Sequence, residues 1–100
     1  MRQSQIKLIL VESIGDNKVE AVCDVLDGVL RIGQILYAPN TPKVISISRT
    51  PGGRNLETAV RSAENYIVGI EGDTTLVEGK NYNTYDYGKG EPVFKKAYSH

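Results

Sequence analysis

Few side chains in this sequence have the chemistry of a catalytic nucleophile, a catalytic base or a metal ligand. Cys23 is the only cysteine, and His100, the final residue, is the only histidine. Cys23 occupies an inward position of an alternating apolar pattern, with no cationic or ligand side chain nearby, which favours a buried structural thiol. Chain ends are normally mobile, so a terminal histidine is poorly suited to a catalytic triad. The sequence therefore predicts no catalytic residue, no metal site, no cofactor and no enzyme activity.

Two arginines bracket a turn that has the chemistry of an anion site. Arg49 and Arg54 enclose the sequence Thr-Pro-Gly-Gly, and two guanidinium groups beside flexible glycines can hold a phosphate. Pro-Gly-Gly is also ordinary turn chemistry, which favours an exposed hairpin turn whose arginines serve solubility. Arg49 and Arg54 are the predicted contacts for a phosphate or RNA, with the exposed turn as the preferred interpretation.

Aromatic and basic side chains are concentrated near the C-terminus. Tyrosine offers a large contact area, which suits a protein-docking edge, whereas aromatics mixed with lysines suit stacking on single-stranded bases. A third interpretation is that Tyr85 and Tyr87 share one face of a last strand and pack on the fold. Because the net charge is zero, protein contact is favoured over RNA. The candidate partner-binding residues in this region are Tyr82, Tyr85, Tyr87, Phe94, Lys95 and Lys96.

Size and composition bound the class of protein. One hundred residues make one domain with a single core, and twelve basic residues balance twelve acidic ones, which gives no reason to expect non-specific binding to nucleic acid or membrane. There is no apolar run of roughly 18 residues, and the N-terminus lacks an apolar signal region. A single cysteine excludes an internal disulfide and fits a reducing compartment. We expect a soluble, cytoplasmic protein.

Short apolar runs separated by turn residues predict an all-β fold. Gly15-Asp16-Asn17 marks a hairpin turn between the first two strands. Residues 56–63 have partly helical spacing, but the neighbouring strands favour an extended connection or a single turn. In the first strand, Ile6, Leu8 and Leu10 share one face and Ile9 and Val11 lie on the other, so this strand is expected to be buried on at least part of both sides. The residues predicted to point inward are Val19, Ala21, Cys23 and Val25 in the second strand, and Ile45 and Ile47 in a later one.

The number and length of these strands favour a small closed barrel. Five or six strands with short turns and no long helix close most naturally as an antiparallel β-barrel of about six strands. Gly33, Gly69 and Gly72 are predicted to make its bends. Residues 1–82 are expected to form the barrel, and residues 83–100 an aromatic- and lysine-containing C-terminal extension.

Four motifs follow one another between residues 6 and 82, namely G-V-L-R-I-G-Q-I-L, V-I-S-I, A-E-N-Y-I-V-G-I-E-G and L-V-E-G. Their order and spacing resemble the second, β-barrel domain of translational GTPases such as elongation factor Tu. Glu64-Asn65 departs from it, because the family often has a glycine there. The positions that match the family pattern are Gly28, Gly33, Val44, Ile47, Val68, Gly69, Ile70, Gly72 and Gly79.

The phosphate-binding loop of those GTPases has no counterpart here. Gly79-Lys80 is followed by asparagine, with no glycine at the required offset, so we expect no nucleotide triphosphate to bind. A barrel of this kind without its GTPase domain suits a docking role. By analogy, we expect a non-catalytic inhibitor or immunity-type protein that docks on a protein partner. The alternative is an RNA- or ribosome-associated accessory protein of the translation machinery.

Overall fold

The computed structural model of the chain describes residues 2–72 and 75–86. Within these residues every regular element is a β-strand, which confirms the predicted all-β class. The strands are β1 (Ser4–Gly15), β2 (Lys18–Arg31), β3 (Ile35–Leu36), β4 (Lys43–Ser48), β5 (Thr58–Val60), β6 (Tyr66–Glu71) and β7 (Asn81–Tyr85). Residues 56–63, whose spacing was ambiguous, are extended and contribute β5.

Six of the strands close into an antiparallel ring. The neighbours around the ring are β1, β7, β3, β4, β6 and β2, and β2 pairs with β1 to complete it. β5 lies outside the ring and pairs only with the end of β2, at Val29–Arg31. The predicted small closed barrel of about six strands is therefore confirmed. β7 ends at Tyr85, three residues beyond the predicted end of the barrel at residue 82.

The interior of the ring is filled by the inward face of each strand. The alternation predicted for β2 is confirmed over residues 19–25, since all four of the side chains predicted to point inward are buried. Ile6 and Leu8 of β1 and Val44 and Ile47 of β4 are fully buried as well. The remaining core residues are Leu30, Leu36, Ala38, Ala59, Tyr66, Val68, Ile70 and Tyr82.

A bulge in β1 reverses the predicted direction of one apolar side chain. Ile9 is an extra residue between the cross-strand pairs Leu8–Cys23 and Leu10–Val22. One extra residue shifts the alternation of all that follow it in the strand. Leu10 therefore lies on the opposite face from Ile6 and Leu8 and is 57% exposed, so the prediction that the three residues share one face is wrong.

A second bulge has the same effect in β4. The register with β6 shifts between Val44 and Ser46, which leaves Ile45 as the extra residue. Val44 and Ile47 are buried, whereas Ile45 is only half-buried on the outer side. The prediction that Ile47 points inward is confirmed, and the same prediction for Ile45 is wrong.

Two of the predicted bends need glycine for different reasons. Gly33 has a φ of +96° in the turn that joins β2 to β3, so it makes a turn between strands and does not interrupt one. Gly72 has a φ of +134° at the end of β6, and a Cβ there would lie 2.9 Å from the Cα of Pro42. A side chain at residue 72 would therefore be strained and would also crowd the neighbouring backbone.

A buried polar network joins the end of β7 to the turn after β2. The side-chain carbonyl of Gln34 accepts hydrogen bonds from the Arg31 N–H at 3.1 Å and from the Thr84 hydroxyl at 3.0 Å. Its amide group donates to the Val29 carbonyl at 3.2 Å, and the hydroxyls of Ser4 and Thr84 are in direct contact. These bonds satisfy polar groups that burial would otherwise leave unpaired.

Candidate docking surface

Of the two arginines in the predicted anion site, Arg49 contacts other side chains of its own chain. The Arg49 guanidinium carbon lies 4.4 Å from the centre of the Tyr66 ring. The same group donates to the Ser62 hydroxyl at 3.2 Å and lies 3.5 Å from the Glu64 carboxylate. We call these four residues the Arg49 cluster. Arg54 is exposed, and no ion pair joins it to any side chain within residues 2–72 and 75–86.

The two predicted tyrosines that the structure describes differ in exposure. Tyr82 is 5% exposed and belongs to the core. Its hydroxyl accepts a hydrogen bond from the Val77 N–H at 3.0 Å, and the Lys80 ammonium lies 5.3 Å from its ring centre. Tyr85 is half-buried in β7 and packs edge-on against Tyr37, with ring centres 6.2 Å apart. The ring of Tyr82 therefore offers little contact area.

The other predicted contact residues of the C-terminal region lie outside the described residues. They are Tyr87, Phe94, Lys95 and Lys96.

An apolar row that the sequence reasoning missed crosses the outer face of β1, β2 and β6. Leu10 pairs with Val22, and Val22 pairs with Ile67 on its other side. Val22 and Ile67 are half-buried. Pro51, in the turn after β4, lies at the far side of the row, and together these residues line a groove of about 340 Å³. We refer to this surface as the groove.

Three carboxylates border the apolar row. Glu12 and Glu20 are direct cross-strand partners, and both line the groove together with Glu78. The Glu78 carboxylate accepts a hydrogen bond from the Val11 N–H at 2.9 Å. Like charges directly opposite each other in a sheet are destabilising. In the described part of the chain, no ion pair compensates any of these three carboxylates.

The neighbouring rows on the same face have the opposite arrangement. Lys7 stands opposite Asp24 in the β1–β2 pair. Lys18 stands opposite Glu71 in the β2–β6 pair, with 3.9 Å between their charged groups. Complementary charges therefore flank the groove, and like charges meet only at the row that borders it.

The cross-strand row of Glu12 and Glu20 continues on β6 with Gly69, which has no side chain. Gly69 pairs with Glu20 on one side and with Ser46, at the β4 bulge, on the other. A Cβ at residue 69 would contact the Ser46 hydroxyl. The glycine therefore leaves room for the Ser46 hydroxyl, which a side chain at residue 69 would displace.

The thiol beneath the groove is not a reactive group. Cys23 follows Val22 in β2 and points into the core, where it is fully buried. Burial, and to a smaller extent the charge of Asp24, raises the pKa of the Cys23 thiol from 9.0 to about 12. A thiol with this pKa is protonated at neutral pH, so it is a poor nucleophile and a poor metal ligand.

Other classes of site were sought among the described residues. Across residues 2–72 and 75–86, no three His, Cys, Asp or Glu side chains are grouped so that they could bind a metal ion. The same residues include no helix with the length and apolar character required to cross a membrane.

No protein-family model matches the chain, and no curated protein matches it. The likeness to the second domain of translational GTPases thus stays a resemblance of sequence pattern.

Proposed function

We propose that this protein is a non-catalytic binding protein that docks on a protein partner, in the manner of an inhibitor or immunity-type protein. The observation that carries the proposal is the groove on the outer face of β1, β2 and β6. Its apolar row is open to solvent at Leu10, and its acidic border lacks counter-charges within the described residues. An apolar patch with a polar rim is typical of a protein-interaction site.

The charge of the groove favours a protein partner over RNA. Phosphate groups are repelled by carboxylates, so an acidic border opposes RNA binding at this surface. Arg49, half of the predicted anion clamp, is engaged with Glu64 and Tyr66. The RNA- or ribosome-associated role stays the alternative, supported by the resemblance to translation factors. A single buried thiol suits a reducing compartment, and we place the protein in the cytoplasm.

The proposal is tested by comparing how much partner is recovered by the wild type, a groove variant and a matched control. In the groove variant, Leu10→Thr and Val22→Thr replace two apolar side chains by a β-branched polar residue. In the control, Ile32→Thr and Val60→Thr make the same change at sites that are 42% and 49% exposed outside the groove. Each tagged protein is incubated with native lysate, and the retained proteins and RNA are quantified.

We expect the wild type and the control to retain the same protein, and the groove variant to lose it. Circular dichroism should show that all three proteins are folded, because the substituted residues are at least partly exposed. Equal retention by the groove variant would contradict the proposed docking surface. Recovery of RNA alone, falling steeply as salt is raised, would favour the alternative function.

A further inference from the structure

The edge of β1 next to the groove has no strand beside it in the described part of the chain. β7 pairs with β1 only over Ser4–Lys7, and the last backbone hydrogen bonds on that side join Leu8 to Gly79 and Lys80. Beyond the bulge, the Val11 N–H points to this side and is bonded to the Glu78 carboxylate. A side chain therefore occupies the place that the carbonyl of a neighbouring strand would take.

The direction of the Val11 N–H shows which other groups lie along the same edge. In an antiparallel pair, successive residues alternate in direction, with every second residue bonding to the same neighbour. β1 pairs with β2 through Gly15, so Ser13, two residues after Val11, also directs its N–H and carbonyl away from β2. Val11 and Ser13 together offer a short template for an additional strand.

We infer that the partner contributes an extended segment that adds as a strand to this edge of β1, with lysine or arginine side chains over Glu12 and Glu20. The inference rests on the proposed docking role of the groove and specifies the chemistry of the partner. Main-chain hydrogen bonds to Val11 and Ser13 supply affinity, and side chains on the groove face supply specificity. The cationic groups neutralise the two carboxylates that face each other.

The same charges select against a second copy of this chain. Pairing two identical β1 edges would bring the acidic borders of both copies, with Glu12 and Glu78 on each, close to one another. Charged side chains on an edge strand oppose pairing with a like-charged edge. A basic segment is attracted by the groove that repels a second copy, so charge complementarity identifies the occupant.

Glu78 has a distinct part in this inference. Its carboxylate holds the Val11 N–H while the edge is empty, and it comes from the turn between β6 and β7, where it is exposed. An incoming carbonyl takes over the Val11 N–H. The released carboxylate then becomes a third counter-charge for the basic segment.

Strand addition is tested by titrating the protein with short peptides. Binding is followed by NMR through the backbone amide signals of the protein. The first probe is an acetylated and amidated peptide that alternates lysine and valine, and the second has glutamate in place of every lysine. Two further probes carry N-methyl groups on the valine amides or on the lysine amides of the first peptide. In an extended peptide, successive amides point to opposite edges. Methylation of every second amide therefore blocks one edge only, and just one of the two methylated peptides loses the N–H groups that face β1.

We expect the lysine peptide to shift the amide signals of Val11 and Ser13. The glutamate peptide, and one of the two methylated peptides, should bind at least about tenfold more weakly. Glu12→Gln with Glu20→Gln should weaken the lysine peptide by a similar factor. The control, Glu57→Gln with Glu64→Gln, removes two carboxylates elsewhere and should leave the affinity unchanged.

Three results would overturn strand addition: equal binding of the lysine and glutamate peptides, full binding by both methylated peptides, or unshifted Val11 and Ser13 signals. The docking role is judged separately by the pull-down. If the Leu10→Thr, Val22→Thr protein loses its partner while the peptides fail, docking at the groove stands and strand addition is wrong. If that protein keeps its partner, the groove is not the docking surface.

Discussion

The Arg49 cluster and the groove are two charged outer surfaces. Among the described residues, the charge of Arg49 is compensated, whereas the carboxylates of the groove have no cationic partner. Arg49 has an aromatic face at Tyr66 and a carboxylate at Glu64, both from its own chain. Glu12 and Glu20 have each other as cross-strand neighbours. A charge with internal partners contributes to the stability of the fold, whereas like charges held side by side reduce it. The comparison supports the proposal that the groove, and not the Arg49 cluster, is the docking surface.

Reversing the acidic row should have the largest effect on binding. Glu12→Lys with Glu20→Lys keeps two like charges opposite each other, so the free energy of unfolding should change by less than about 0.5 kcal/mol. Affinity for the captured partner should fall about 100-fold or more, because close charge pairs across an interface contribute about 1.5 kcal/mol or more each. Isothermal titration calorimetry with the purified partner measures this change.

The control for charge reversal is Glu57→Lys with Glu64→Lys. It makes the same change in net charge outside the groove and should leave the affinity unchanged. An equal loss of affinity in both variants would show that net charge, and not the groove, attracts the partner.

The Cys23 thiol reports whether the core beneath the groove stays closed. The folded-state pKa of about 12 lies above the ordinary value of 9.0, so the thiol ionises first in the unfolded chain. Its contribution to stability is complete below pH 9.0 and is lost as the pH rises towards 12, at roughly 1 kcal/mol per pH unit within that window. Urea unfolding at several alkaline pH values should show this slope in the wild type.

Cys23→Ala removes the thiol and serves as the control. It should lack the additional alkaline slope, because the thiol is the only group that differs between the two proteins. Identical slopes would show that the thiol is not held in the core. The Leu10→Thr, Val22→Thr protein should keep the wild-type slope, because its substitutions lie on the other face of the hairpin.

Arg49→Ala tests the Arg49 cluster, where we expect an effect on stability and none on partner binding. Loss of the Tyr66, Ser62 and Glu64 contacts should lower the free energy of unfolding by about 1 kcal/mol, as measured by denaturant unfolding. Arg49→Lys should recover part of this loss, since it keeps the charge but not the planar group. Partner affinity should be the same in all three proteins, and a marked fall for Arg49→Ala would place the partner on the Arg49 cluster.

The ring of strands and most of the core could be predicted from local patterns. β2 alternates without interruption over residues 19–25, and the four residues predicted to point inward there are all buried. Leu10 could not be placed, because Ile9 is as apolar as its neighbours and gives no local sign of a bulge. The sequence therefore gives no sign that Leu10 lies on the other face of the strand from Leu8.

The sequence did not predict that Glu12 and Glu20 stand opposite each other, because this depends on the register of β1 against β2. The turn pairs Gly15 with Lys18, and uninterrupted pairing from that point would set Glu12 opposite Ala21. An extra residue at Ile14 shifts the register and brings Glu12 opposite Glu20 instead. Bulges change which side chains meet across strands, and a sequence without structural context does not locate them.

The groove was also hidden because its parts are distant in the chain. Leu10, Val22, Pro51 and Ile67 come from three strands and a turn, and only the closure of the ring brings them together. The candidate residues that the sequence did suggest were clusters along the chain. Arg49 belonged to such a cluster, but its charge is compensated within the fold.

The most direct test of the docking surface is the affinity of the captured partner for Glu12→Gln with Glu20→Gln, measured beside the unfolding free energy of the same protein. Relief of the like-charge contact should raise the free energy of unfolding by about 0.2–1 kcal/mol. Partner affinity should fall at least about tenfold, because the counter-charges for the basic segment are gone. A more stable protein that binds its partner as tightly as the wild type would contradict the assignment of the groove.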